Sequence, residues 1–145
     1  MKIYFILLYC CLAGKAGLAQ TDKEKVNLAC LNYIEGFYEG DTTKLIRSLQ
    51  PTLYKFGYYK NKDTGKYEAD GHMTYRQALD YATRVLQSKR FAKPDAPKNV
   101  EVLNISNTTA AAKITAWWGT DYILLSKQQE KWMIEQVLWE GPLAK

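Results

Sequence analysis

The chain has 145 residues, 47% of them hydrophobic and 24% charged, with a formal net charge of +5. That length and balance exclude a disordered chain and a multidomain assembly, and so mild a basic excess does not ask for a nucleic-acid partner. Three cysteines and one histidine leave little material for a disulfide framework or a histidine-based metal site.

Lys2, the apolar residues 3–13 and the small-residue stretch Gly17-Leu18-Ala19 before Gln20 read as a secretory signal peptide. The apolar run is shorter than the ~20 residues that span a bilayer. A lipoprotein alternative, with Cys10 or Cys11 lipidated, is weaker, because bulky Tyr9 precedes Cys10 where that signal wants a small residue. The expectation is export, periplasmic or secreted, with cleavage near Ala19 and no stable membrane anchoring. Residues 20–145 then form a single domain of 126 residues and net charge +3, since Lys2 and Lys15 are lost. Only Cys30 remains in it, so no intrachain disulfide can form and packing alone must hold the fold. Two glycosylation sequons, at Asn104 and Asn107, matter only in a eukaryotic host.

Along the mature chain, Val26, Ala29, Cys30, Tyr33, Ile34, Phe37 and Tyr38 recur at helical spacing, predicting a helix over 22–39 that Gly40 stops. Asp41 or Thr42 caps a short second helix through Ser48, before Pro51. Residues 53–69 read as a hairpin around the turn "NKDTGK". Thr74 followed by Gln77 is a capping box that opens a third helix, with Tyr75, Ala78, Leu79, Ala82, Val85 and Leu86 on its apolar face. A proline-bearing loop, "FAKPDAPKN", follows from Phe91. Residues 100–105, 110–118, 122–127 and 132–139 then alternate as four strands of an antiparallel meander, with turns at 106–108, 119–121 and 128–130.

All four tryptophans lie in the second and fourth of those strands. Strict alternation places Trp118 on one face of its strand and Trp117 on the other. In the last strand it sets Trp132, Ile134, Gln136 and Leu138 against Met133, Glu135, Val137 and Trp139. Both faces therefore need covering. The first face is expected to meet the helices, and the second, with Trp117, Met133, Val137 and Trp139, is the candidate face of a homodimer.

The phrases "YIEGFYEGD" (33–41), "KDTGKY" (62–67), "KPDAPKNVEVL" (93–103) and "DYILLSKQQEKWMIEQVLWE" (121–140) make the chain similar to the family labelled "putative lumazine-binding", of the nuclear transport factor 2-like superfamily. The resemblance implies an α+β cone: three N-terminal helices with an inserted hairpin, packed on a curved antiparallel β-meander that leaves a cavity at one end. It brings no catalytic motif to carry over. Relatives use such cavities as enzyme sites, as ligand pockets, or not at all.

No catalytic constellation is identifiable from the residues, and nothing in them calls for a cofactor or a metal. Asp22, Asp41, Asp63, Asp70, Asp95, Asp121 and Glu130 fall at turns or helix starts, where carboxylates cap, and Glu135 is mid-strand. Cys30 reads as a buried inert thiol. The better candidates are aromatic. Tyr33 and Phe37 on the first helix, Tyr54 and Phe56 on the hairpin, His72 at the rim, and Trp118, Trp132 and Gln136 on the meander are the candidate cavity lining. Eleven tyrosines are many for a dry core, because each hydroxyl needs a partner. Such walls suit a flat heteroaromatic small molecule, with Lys55 or Arg76 near the mouth for charge. The expected function is thus an exported small-molecule-binding or partner-binding domain. The alternatives are a cavity enzyme (isomerase, dehydratase or hydrolase) and a protein-interaction module on the outer sheet.

Overall fold

The computed structural model describes residues 20–142, so the signal-peptide reading of residues 1–19 lies outside the described residues. Three helices, α1 (Asp22–Glu39), α2 (Thr42–Ser48) and α3 (Tyr75–Ser88), accompany six strands. These are β1 (Leu49–Lys60), β2 (Tyr67–Ala69), β3 (Asn99–Ile105), β4 (Thr109–Ala116), β5 (Gly119–Gln128) and β6 (Lys131–Glu140). The architecture is the α+β arrangement expected from the sequence, with helices on one side of a curved sheet.

Local chemistry explains each helix boundary. Thr21 and Glu24 form a reciprocal capping box at the start of α1, and Thr74 and Gln77 form one at α3. Asp41 caps α2 by accepting from the backbone of Thr43 and Lys44. α1 ends at Gly40 in the left-handed conformation.

The strands lie in the order β2-β1-β6-β5-β4-β3. β3 to β6 form the meander, and β1 joins it parallel to β6, with Lys55 opposite Val137 and Gly57 opposite Trp139. β1 begins at Leu49, earlier than the hairpin reading from residue 53. Pro51 is accommodated because the β1–β6 register is irregular between Leu49 and Tyr54, where no ladder bond asks for its missing N–H. The inner face of the sheet (Ala112, Ile114, Ile123, Leu125, Trp132, Ile134 and Val137) closes over Val26, Cys30, Tyr33 and Ile34 of α1 to make one core.

Two departures from strict alternation rearrange the tryptophans. The turn between β4 and β5 is Trp117-Trp118 itself, because Ala116 pairs with Gly119; the turn expected at 119–121 sits two residues earlier. Gly119 makes this closure possible, since its φ is +138° and a Cβ there would lie 2.0 Å from the Glu140 carbonyl. Trp117 and Trp118 are thus loop residues and are not held to opposite faces. In β6, Ile134 pairs with Leu125 and Gln136 with Leu124, so Glu135 is an inserted bulge residue. The bulge inverts every side chain after it. Val137, 1% exposed, and Trp139 turn inward, whereas Gln136 and Leu138 turn outward. The expected dimer face of Trp117, Met133, Val137 and Trp139 is therefore not assembled, and of its strand residues only Met133 keeps its side.

Candidate functional site

At one end of the sheet a cavity of about 190 Å³ opens among side chains from four elements and two connecting segments. Successive turns of α1 supply Tyr33 and Phe37, whose rings meet edge to face at 5.1 Å because residues four apart share a helix face. Tyr81 of α3 packs edge-on against Phe37 at 5.6 Å. The Trp117-Trp118 turn folds over this pair, with Trp118 edge-on to Tyr33 at 6.1 Å and to Phe37 at 5.9 Å. Trp139 reaches the cavity across Gly57, where a Cβ would lie 2.5 Å from the indole Cγ. Met73, bridged to Lys55 beside β1, and Lys55 itself complete the lining.

Beneath the rings is a polar cluster centred on Asp121, which is fully buried. The Tyr33 hydroxyl donates to Asp121 Oδ2 at 2.6 Å, and Trp118 Nε1 donates to Asp121 Oδ1 at 2.7 Å. Lys55 Nζ donates to the Tyr33 oxygen at 2.8 Å and lies 3.4 Å from Asp121 Oδ2. The ammonium also sits 5.4 Å from the Trp139 ring centroid and 5.5 Å from that of Tyr33, both attractive placements for a cation. Burial pushes the Lys55 amine below its ordinary range, against the opposing pull of Asp121. Burial, reinforced by the adjacent carboxylate, raises the Tyr33 phenol well above its usual value. Among the described residues no buried side-chain nitrogen or oxygen lacks a hydrogen-bond partner, so the cluster is internally satisfied.

This arrangement fixes what the cavity can recognise. An ammonium has three N–H donors, and two of those on Lys55 serve Tyr33 and Asp121. No protein acceptor takes the third among the described residues, and Lys55 lines the cavity. Lysine and aspartate offset one another's charge, so the floor offers a directed donor in nearly neutral surroundings, a match for a carbonyl oxygen on a flat ring. The aromatic walls contribute apolar faces and edges. The volume is below the ~300–1,000 Å³ of drug-sized sites, so the space admits only a small group.

Of the residues singled out from the sequence, Tyr33, Phe37 and Trp118 line the cavity together. Trp132 is buried at the opposite end of α1, its Nε1 donating to Asp22 Oδ1 at 3.0 Å. Gln136 is turned outward by the bulge. Tyr54 and Phe56 occupy the face of β1 away from the cavity, because Leu53, Lys55 and Gly57 take the inward positions. His72 is exposed and stacks on Tyr54 at 4.2 Å, also outside. Trp117 and Trp139, assigned to the dimer face, are cavity residues instead.

Asp121, Met73 and Tyr81 were missed, and Lys55 was placed at the mouth when it lies at the floor. A signal for the first existed: Asp121 alternates with Ile123 and Leu125, which marks an inward position. It was obscured by the glycine before it, which suggests a turn. Lys55 alternates with Leu53 and Gly57 in the same way, but the aromatic neighbours Tyr54 and Phe56 look like the better inward set.

A family model described as "Putative lumazine-binding" matches residues 21–140. The chain belongs to this family. Among solved structures it is similar to a nuclear transport factor 2-like protein of unknown function from Silicibacter pomeroyi DSS-3, at 14% identity and a TM-score of 0.62, covering 83% of this chain and 98% of that one. It is also similar to one from Methylobacillus flagellatus KT, at 18% identity and a TM-score of 0.62, covering 88% and 95%. A third, from Shewanella baltica OS155, matches at 19% identity and a TM-score of 0.60, covering 84% and 94%. Likeness at this level establishes the nuclear transport factor 2-like fold. A search of the curated proteins found no match. Among the described residues no helix is long and apolar enough to cross a membrane.

Proposed function

We propose that this protein is an exported ligand-binding domain whose cavity takes a small, flat heteroaromatic molecule bearing a ring carbonyl. The observation that carries the reading is the third N–H of Lys55, taken by no protein acceptor among the described residues, at the floor of an aromatic-walled cavity, with Tyr33 and Asp121 holding the amine in place. The family's description agrees with a pteridine-like occupant. Export rests on the signal-like residues 1–19.

Tryptophan fluorescence tests it directly, because Trp117, Trp118 and Trp139 all wall the cavity. A pteridine-dione should quench emission saturably, and Lys55→Met should weaken that binding about tenfold by removing a charged hydrogen bond of ~1.5–3 kcal/mol. No quenching by any bicyclic ring carbonyl would refute the reading.

A cavity enzyme is the second reading, favoured by the pairing of the Lys55 amine, held low by burial, with the Tyr33 hydroxyl at 2.8 Å. It would be supported by turnover of a bound ring compound that Tyr33→Phe abolishes without loss of binding.

A homodimer remains part of the proposal, through a different face. Tyr122, Leu124 and Leu138 on the outer side of the sheet are 53%, 51% and 42% exposed, and Tyr54 beside them is 49% exposed. These apolar side chains, with Gln136 between Leu124 and Tyr54, suit a twofold contact on a sheet face.

A further inference from the structure

A second concavity, of about 670 Å³, lies directly outside the aromatic cavity and shares Phe37, Tyr81 and Trp117 with it. The three shared rings place the two spaces side by side, with the wider groove next to the narrower cavity. The groove's far wall is the loop from Arg90 to Pro97. That loop is fastened in place. Arg90 N–H donates to the Val85 carbonyl at 3.1 Å, Ala92 N–H donates to the Tyr38 carbonyl at 3.1 Å, and the Tyr38 hydroxyl donates to the Pro97 carbonyl at 2.6 Å. The same hydroxyl accepts from Trp117 N–H at 2.8 Å, so loop and tryptophan turn are positioned by one side chain.

This wall brings charge next to the aromatic rings. Lys98, just beyond the groove, is paired with Glu35, as is Lys44, and Lys127 is paired with Asp22. Arg90 and Lys93, which line the groove, make no ion pair among the described residues. Asp95 is the single acidic side chain lining it. The inner cavity is charge-balanced by Lys55 and Asp121. Recognition of an anion therefore falls to the groove.

We propose that cavity and groove form one bipartite site, in which the ring of a ligand occupies the aromatic cavity and an anionic tail, carried on a short flexible chain, meets Arg90 and Lys93 in the groove. The ligand class is a planar heterocycle bearing a phosphate or carboxylate tail. The inference rests on the ring-binding reading above and adds the tail. Guanidinium and ammonium groups on a fixed loop supply fork and point-charge contacts to such an anion.

The test uses the full domain and two probes that differ only in the tail: 6,7-dimethyl-8-ribityllumazine and its 5′-phosphate, titrated by tryptophan quenching. The phosphate should bind roughly tenfold tighter, as two charge-assisted contacts allow, and raising the salt concentration should erode that advantage. Arg90→Ala/Lys93→Ala should abolish the difference and leave the affinity of the neutral probe unchanged. Asp95→Asn, which removes the opposing charge, should tighten the phosphate alone, a gain that no folding defect imitates. Equal binding of both probes to the unaltered protein would overturn the tail site while leaving the ring site standing. Equal loss of both probes in the double variant would also overturn it, since the loop would then serve the cavity's shape only. If neither probe quenches, the ring reading fails and the bipartite site fails with it.

Discussion

Asp121→Asn is the sharpest probe of how the candidate site is held. The carboxylate is 0% exposed and accepts from Tyr33, Trp118 and Lys55, whose side chain is itself only 9% exposed. Breaking a buried ion pair by removing one partner costs ~3–5 kcal/mol, because the remaining charge keeps its desolvation penalty. Asparagine preserves size and one acceptor oxygen, yet turns an amide N–H2 toward groups that are already donors, each unsatisfied donor costing ~1–3 kcal/mol. Burial has already pushed the Lys55 amine down, so in the variant it can shed its proton, which holds the total near the low end, about 3 kcal/mol. Lys55→Met alone leaves Asp121 with two good donors and should cost about 2 kcal/mol. The double variant Lys55→Met/Asp121→Asn should be less destabilised than the sum of the singles by about 2 kcal/mol, because neither charge is then left alone. Urea unfolding followed by far-UV circular dichroism gives all four free energies. A coupling below about 0.5 kcal/mol would show that Lys55 and Asp121 do not depend on one another.

The alkaline limb of stability should be dominated by groups beside the same carboxylate. Burial and the Asp121 charge push the Cys30 thiol up to about 12, whereas it titrates near 9.0 when unhindered. The unfolded chain therefore loses this proton first, so stability present below pH 9 should fall between pH 9 and 12 by up to about 1.4 kcal/mol per pH unit. Tyr33, whose folded value is also raised, adds a loss of the same sign at higher pH; Lys55, lowered from 10.5, contributes oppositely below that value. Denaturant midpoints across this range should flatten in Cys30→Ala, and an unchanged slope would remove the thiol from the account. Thr74→Ala deletes the hydroxyl that accepts from Gln77 N–H at the start of α3 and should cost about 1 kcal/mol, read as a shifted urea midpoint with an unchanged slope. Leu124→Lys places a charge on the outer sheet face and should convert a dimer to monomer in sedimentation at micromolar concentration, with little change in monomer fold; a monomeric unaltered protein would refute the dimer at once.

The helices were legible in the chain because their signals are local. The starts of α2 and α3 follow from caps at Asp41 and Thr74, and α1 follows from apolar spacing ended by Gly40, all within a few residues of one another. The strand count and the antiparallel meander were equally legible from alternation and turn residues. Tertiary structure decided the faces. One bulge at Glu135 reversed Val137, Leu138 and Trp139, and one displaced turn put Trp117 and Trp118 on the same cavity. Neither has a strong local signature, because a bulge is defined by how one strand pairs with its neighbours, here β5 on one side and the parallel β1 on the other. The Tyr33–Lys55–Asp121 cluster was beyond sequence reading for a related reason. Its members lie 22 to 88 positions apart and meet only when α1 settles into the sheet, which is what removes water from Asp121 and makes three donors necessary around it.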